Sequence, residues 1–175
     1  MSLTPTWPPT WSGSNFKKSP TDRKLEQRDD RRAEIAHEEA EKRKVRKREK
    51  FACRFPLCGC RKLKLRLEVS HDKHKGAGGN PSGDRSIAKL MVLLCVHRHQ
   101  DGAVSRHKGT LKTKYLTRSA GYNGPVAWLV DLNAIGRPVR RERFKEVARE
   151  SAPGVLEPLT PWQEEVLALL ASMTC

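Results

Sequence analysis

Three cysteines, Cys53, Cys58 and Cys60, fall within the ten residues FACRFPLCGC, and a fourth follows at Cys95. Metal sites are built from such pairings: one pair on a tight knuckle, the other on an element that folds back over it. Cys53 and Cys58 have knuckle spacing, Cys60 is a spare or alternative ligand, and Cys95 with His97 or His99 offers the return pair. Zinc held in this way would supply stabilisation that a small core lacks. The competing reading is that some of these are simply buried thiols. The chain has five cysteines in all, an odd count. Its start, MSLTPTWPPTWSGSNF, lacks the basic residues and apolar run of a secretory signal. A disulfide framework is therefore not expected, and a reducing cytoplasm is.

Charge points to the same middle segment. Of the net +15, residues 51–118 carry 15 Lys/Arg against 4 Asp/Glu, whereas residues 119–175 carry 6 against 7. A domain this basic is drawn to phosphate backbones. No apolar stretch reaches the roughly 20 residues that span a bilayer, so no membrane partner is expected. Only 37% of the 175 residues are apolar, which predicts a compact middle with polar flanks rather than one core throughout.

Residues 1–19 are expected to be a disordered tail, in which Trp7 and Trp11 could dock on a protein partner. Residues 20–50 read as one long, charged helix, with Ser19 as N-cap, Pro20 at the first helical position and Asp22 completing the cap. Its basic end, KRKVRKREK, suits the helix dipole or a phosphate-contacting arm. In RKLKLRLEVSH, Leu63, Leu65, Leu67, Val69 and His71 alternate with polar residues, the period of a strand. GAGGNPSGD is a loop, RSIAKLMVLLCVHRHQ a short buried helix, and GTLKTKYLT a late strand. Beyond residue 119, PVAWLVDL is a strand or buried segment and RRERFKEVARE is helical. TPWQEEVLALLAS is a helix over 160–172, capped by Thr160, Pro161 and Gln163, with Trp162, Val166, Leu167, Leu169 and Leu170 on its apolar face.

LEVSHDKHKGAGG followed by LMVLLCVHRH resembles the HNH endonucleases, the ββα-metal nucleases common in phages and bacterial mobile elements. The resemblance spans about residues 51–117. It rests on the spacing from His71 to Gly78-Gly79 and on a His four residues after the Cys of "LC". It implies a small ββα-metal core with a zinc knuckle over 51–118, which with the long basic N-terminal helix and the C-terminal extension over 119–175 makes the expected fold α+β. It also implies DNA phosphodiester hydrolysis around one divalent ion, Mg2+ or Mn2+ or else Zn2+, with His71 as general base and His99 as metal ligand. The imidazole pKa lies near working pH, which suits a base. Ser70 stands where the family has Asp or His, Leu90 where it has Asn, and Arg98 where it has a second Cys. Asp72, His74 and His107 are the replacement ligands at hand. Structural zinc would fall to Cys53, Cys58, Cys60, Cys95 and His97, and DNA contacts to Lys73, Lys75, Arg98, Arg106 and Lys108.

Two other functions remain open. One is a non-catalytic, zinc-stabilised nucleic-acid-binding module of the same fold, which the substitutions at Ser70, Leu90 and Arg98 favour. The other is a basic RNA-binding protein with incidental cysteines, against which the strand–Gly loop–LCVHRH order argues. The resemblance places a nuclease in the cytoplasm of a bacterium or a phage-infected host.

Overall fold

The computed structural model describes residues 19–61, 63–72, 87–137 and 142–173. The expected tail before Ser19, the glycine-rich loop, Lys73, His74 and Lys75 lie outside the described residues. The chain divides into two units, residues 1–35 and 36–175.

Helix α1, Pro20–Arg48, begins as its sequence dictates. Ser19 Oγ accepts the Asp22 N–H at 3.1 Å, and the Asp22 carboxylate takes the Ser19 N–H at 3.2 Å. Within the first unit every described residue is exposed, as a helix with so few apolar positions must be. In the second unit α1 acquires a buried side. Val45 is fully enclosed, and the buried Glu41 accepts the Ala88 N–H at 2.8 Å. Arg48 donates to the carbonyls of Ala88 and Met91 at 2.8 and 2.6 Å.

The second unit holds two sheets. Strands β1, Leu67–His71, and β2, Met91–Cys95, pair antiparallel, with Leu67 opposite Cys95 and His71 opposite Met91. Every residue of β2 is buried because both its faces are covered. Met91 and Leu93 pack with Val45 of α1, and Val92 and Leu94 join the main core. The strand replaces the buried helix expected over this stretch. A fully buried strand loses the polar alternation that would distinguish it from a helix. After β2 the chain makes a single π-helical turn, His97–Asp101. The alternation of Leu63 and Leu65 also fails to extend β1: Leu63 is exposed, and Lys64 has a φ of 50°, outside strand geometry.

The larger sheet runs β3-β4-β5-β6, from β3, Leu111–Tyr115, and β4, Val126–Asp131, to β5, Phe144–Ala152, and β6, Val155–Leu156. Residues beyond 119 thus share a sheet with β3. RRERFKEVARE, expected to be helical, supplies most of β5. The register shifts between Trp128 and Leu129, whose partners are Ala148 and Glu146, leaving Val147 as an extra residue. Val147 and Ala148 are both buried; two inward neighbours break the period of two and counterfeit helical spacing. Helix α2, Pro161–Ser172, carries the full capping box of Thr160 and Gln163. It buries Val166, Leu167 and Leu170 in the main core, while Trp162 remains exposed. The fold is thus mixed α and β. Among the described residues no helix is long and apolar enough to cross a membrane.

Candidate metal centre and histidine cleft

Four cysteines converge. Cys53 lies just past the end of α1, Cys58 and Cys60 on the following loop, and Cys95 on the last residue of β2. Their sulfur atoms all lie within 4.8 Å of one another. Cys58 and Cys95 are 3.7 Å apart, far beyond a disulfide bond. That spacing matches the edge of a tetrahedron of sulfurs around zinc, about 3.8 Å for a Zn–S bond of about 2.3 Å. The Arg54 N–H donates to the Leu93 carbonyl of β2 at 3.0 Å and sets the loop against the hairpin, and within the loop the Leu65 N–H donates to the Cys60 carbonyl at 3.1 Å. Hydrogen bonding from the Cys53 thiol lowers the Cys58 pKa, and the same bond raises that of Cys53. A metal ion would replace these shared protons, since zinc takes cysteine as thiolate. The set can hold a structural metal such as zinc. Cys60, expected as a spare, is a full member, and His97 lies outside the cluster.

His71 ends β1 and opens onto a cleft of about 230 Å³, shared with Asp72, Arg106, Gly109, Leu111, Lys112 and Thr113. Its Nε2 lies 3.9 Å from Glu38 Oε1 on α1. Arg106 anchors the cleft wall: it donates to Asp72 Oδ1 at 3.1 Å and Thr113 Oγ1 at 3.2 Å, and also to the Tyr122 hydroxyl. Lys112 Nζ lies 3.8 Å from the centre of the Phe144 ring.

Strand alternation sends Glu68 to the face opposite His71, and there His99 is held. Its Nδ1 lies 2.7 Å from Glu68 Oε2, which also accepts from Gln100 Nε2 at 2.7 Å. The His107 ring meets that of His99 edge-on, with centroids 4.8 Å apart. Burial acts to raise the Glu68 pKa, but the bonds to His99 and Arg66 bring it below the ordinary value.

Among the described residues the four cysteines are the one group of three or more His, Cys, Asp or Glu side chains whose donor atoms converge. Asp72, His99 and His107 form no such group, so these residues do not by themselves fit a catalytic ion. Arg98, expected to contact DNA, is instead interior. It is 2% exposed, lies 4.8 Å over the Phe55 ring and donates to the Leu170 carbonyl at 2.7 Å. Lys108 is exposed, with Nζ on the Asp101 carbonyl at 2.8 Å.

Sequence reasoning overlooked Arg54. It is buried in the Cys53–Cys58 loop, with its guanidinium on Glu150 of β5 at 2.6 and 3.0 Å and on the Gly124 carbonyl at 2.8 Å. The signal was its position inside the cysteine loop, where a cation must find partners within the fold. No family model, curated protein or solved structure matches this chain.

Proposed function

We propose that this chain is an HNH-type endonuclease that hydrolyses DNA phosphodiester bonds. The observation that carries the reading is the placing of His71. It stands at the end of a strand, on a hairpin tied to a four-cysteine centre, and it faces a cleft walled by Arg106 and Lys112. In that position a neutral imidazole takes a proton from water as the water oxygen attacks phosphorus, the bond to the sugar oxygen on the far side breaks, and that oxygen leaves and takes a proton from solvent. Lys112 meets the phosphate and offsets the charge that develops on it, while Arg106, bonded to Asp72, fixes the cleft wall. The hairpin fixes the imidazole to a rigid element, so that orientation is built in before substrate arrives. The net charge of +15 favours capture of the nucleic acid.

The test is nicking of supercoiled plasmid in Mg2+, Mn2+ or EDTA, with His71→Ala alongside. Loss of a general base lowers the rate by about a hundredfold to ten-thousandfold. Equal cleavage by the variant would remove His71 from the chemistry. The second reading, a zinc-stabilised nucleic-acid-binding module, is favoured by one observation: Asp72 is held by Arg106, and neither His99 nor His107 joins it around an ion. Retained DNA binding with no cleavage under any of the metal conditions would establish that reading instead.

A further inference from the structure

The cysteine loops present a surface that neither the core nor the histidine cleft uses. Phe51, two residues before the first cysteine, is 66% exposed. Lys50 and Phe51 have φ angles of 51° and 55°, and Lys64, across the loop, one of 50°. Left-handed backbone is disfavoured for any residue with a Cβ, and glycine or asparagine is the usual choice after a helix. Here a lysine and a phenylalanine occupy successive left-handed positions instead. The last turn of α1 holds them there, with the Phe51 N–H on the Arg46 carbonyl at 2.9 Å and the Ala52 N–H on that of Glu49 at 3.0 Å. Ending the helix requires no aromatic ring at this place, and the ring turned outward contributes little to burial.

Phe51 forms one wall of a recess of about 140 Å³ completed by Ala52, Cys53, Cys60, Lys64, Leu65 and Leu67. Lys64 supplies a cation to the recess, and Lys50 precedes Phe51 in the chain; both are exposed. An exposed aromatic face bordered by lysines is the arrangement that receives a base on the ring while its flanking phosphates meet the cations. We infer that Phe51, with Lys50 and Lys64, is a stacking platform for an unpaired nucleobase of a single-stranded or locally opened nucleic acid. The inference rests on the nucleic-acid reading above and adds to it a preference that the histidine cleft does not supply. Charge complementarity selects this occupant: a nucleic-acid strand brings the base and the anions together. The four cysteines hold the loops on which Phe51 and Lys64 sit, so the platform exists only while that centre is intact.

The test uses the full-length, zinc-loaded chain and three fluorescent probes: a short oligothymidylate, the same strand with abasic sites, and a duplex of equal length. Phe51→Ala is expected to weaken binding of the oligothymidylate by at least about fivefold and to leave duplex binding unchanged. The abasic strand is expected to bind the wild type as weakly as the oligothymidylate binds Phe51→Ala. Phe51→Trp is expected to retain affinity, with its emission quenched by the base-containing strand alone. Circular dichroism and zinc content of each variant verify its fold. Unaltered oligothymidylate binding by Phe51→Ala, or equal loss of single-strand and duplex binding, would overturn the platform and leave the nuclease reading standing if duplex binding persists. A wild-type chain that binds none of the probes would overturn both.

Discussion

The Glu150 carboxylate accepts from Arg54, from the Val126 N–H at 3.2 Å and from Trp128 Nε1 at 3.3 Å, so one side chain ties the cysteine loop to the larger sheet. Arg54 and Glu150 side chains are both 1% exposed. Removing one partner of such a pair leaves the other charge buried and uncompensated, at about 3–5 kcal/mol. Glu150→Ala should therefore lose that much stability in urea unfolding, and Arg54→Met with Glu150→Leu should recover only part of it, because the Val126 N–H, Trp128 Nε1 and the Gly124 carbonyl lose these partners. A single-variant loss below about 1 kcal/mol, the range of exposed pairs, would show that the pair is not sealed. At this scale composition was a partial guide. It included Arg54 only in a net charge, and Arg98 was expected to contact DNA, yet both lie inside. Lys/Arg counts carry no information on burial, and a guanidinium can enter a core when carbonyls and a carboxylate meet its donors.

Elements with local signals were legible. The Ser19 and Thr160 caps mark where α1 and α2 begin, because capping hydrogen bonds join residues three apart in the sequence. β2 and β5 were misread because their form depends on what covers them: α1 on one face of β2, and a bulge at Val147 in β5. The strand position of His71 was visible in LEVSH, whereas the Glu68–His99 contact spans 31 residues and left no local mark. The docking of α1 on the hairpin gives a pH prediction. A hydrogen bond from Lys44, then the Ala88 N–H, lowers the Glu41 pKa from its ordinary 4.5. A depressed carboxylate pKa contributes stability above the unfolded value, and that contribution is lost as pH falls through the folded one. Glu41→Gln should thus be less stable than wild type near neutral pH, with the gap closing below about pH 4.5. Thermal melts of the two proteins across that interval decide it; a gap that widened in acid would contradict the assignment.

For the whole molecule, the cysteine centre joins segments that the chain itself leaves far apart, since Cys53 and Cys58 sit on one loop and Cys95 at the end of β2. A metal bound there acts as a cross-link, and its binding free energy becomes folding free energy. The expected stoichiometry is one zinc per chain, measured by elemental analysis. Cys58→Ser and Cys95→Ser should each reduce it, and a strong chelator should lower the melting temperature of the wild type and not that of a variant already without metal. Full stability in the chelator would mean that the thiols are merely buried neighbours. Three of the four cysteines were recognisable from their crowding in FACRFPLCGC, and Cys95 from its place after an apolar run. Their joint closure, without His97, could be seen only once β2 was folded against the loop.

The same loop carries Phe55, whose ring meets that of Trp128 edge-on with centroids 5.4 Å apart. Trp128 is fully buried and is the indole bonded to Glu150. A metal held by the cysteines would therefore be linked through Phe55 to a chromophore in the middle of β4. Stripping the ion is expected to loosen Phe55 and shift the emission of Trp128, read without a label as the part of the signal that Trp128→Phe removes from the four tryptophans of the chain.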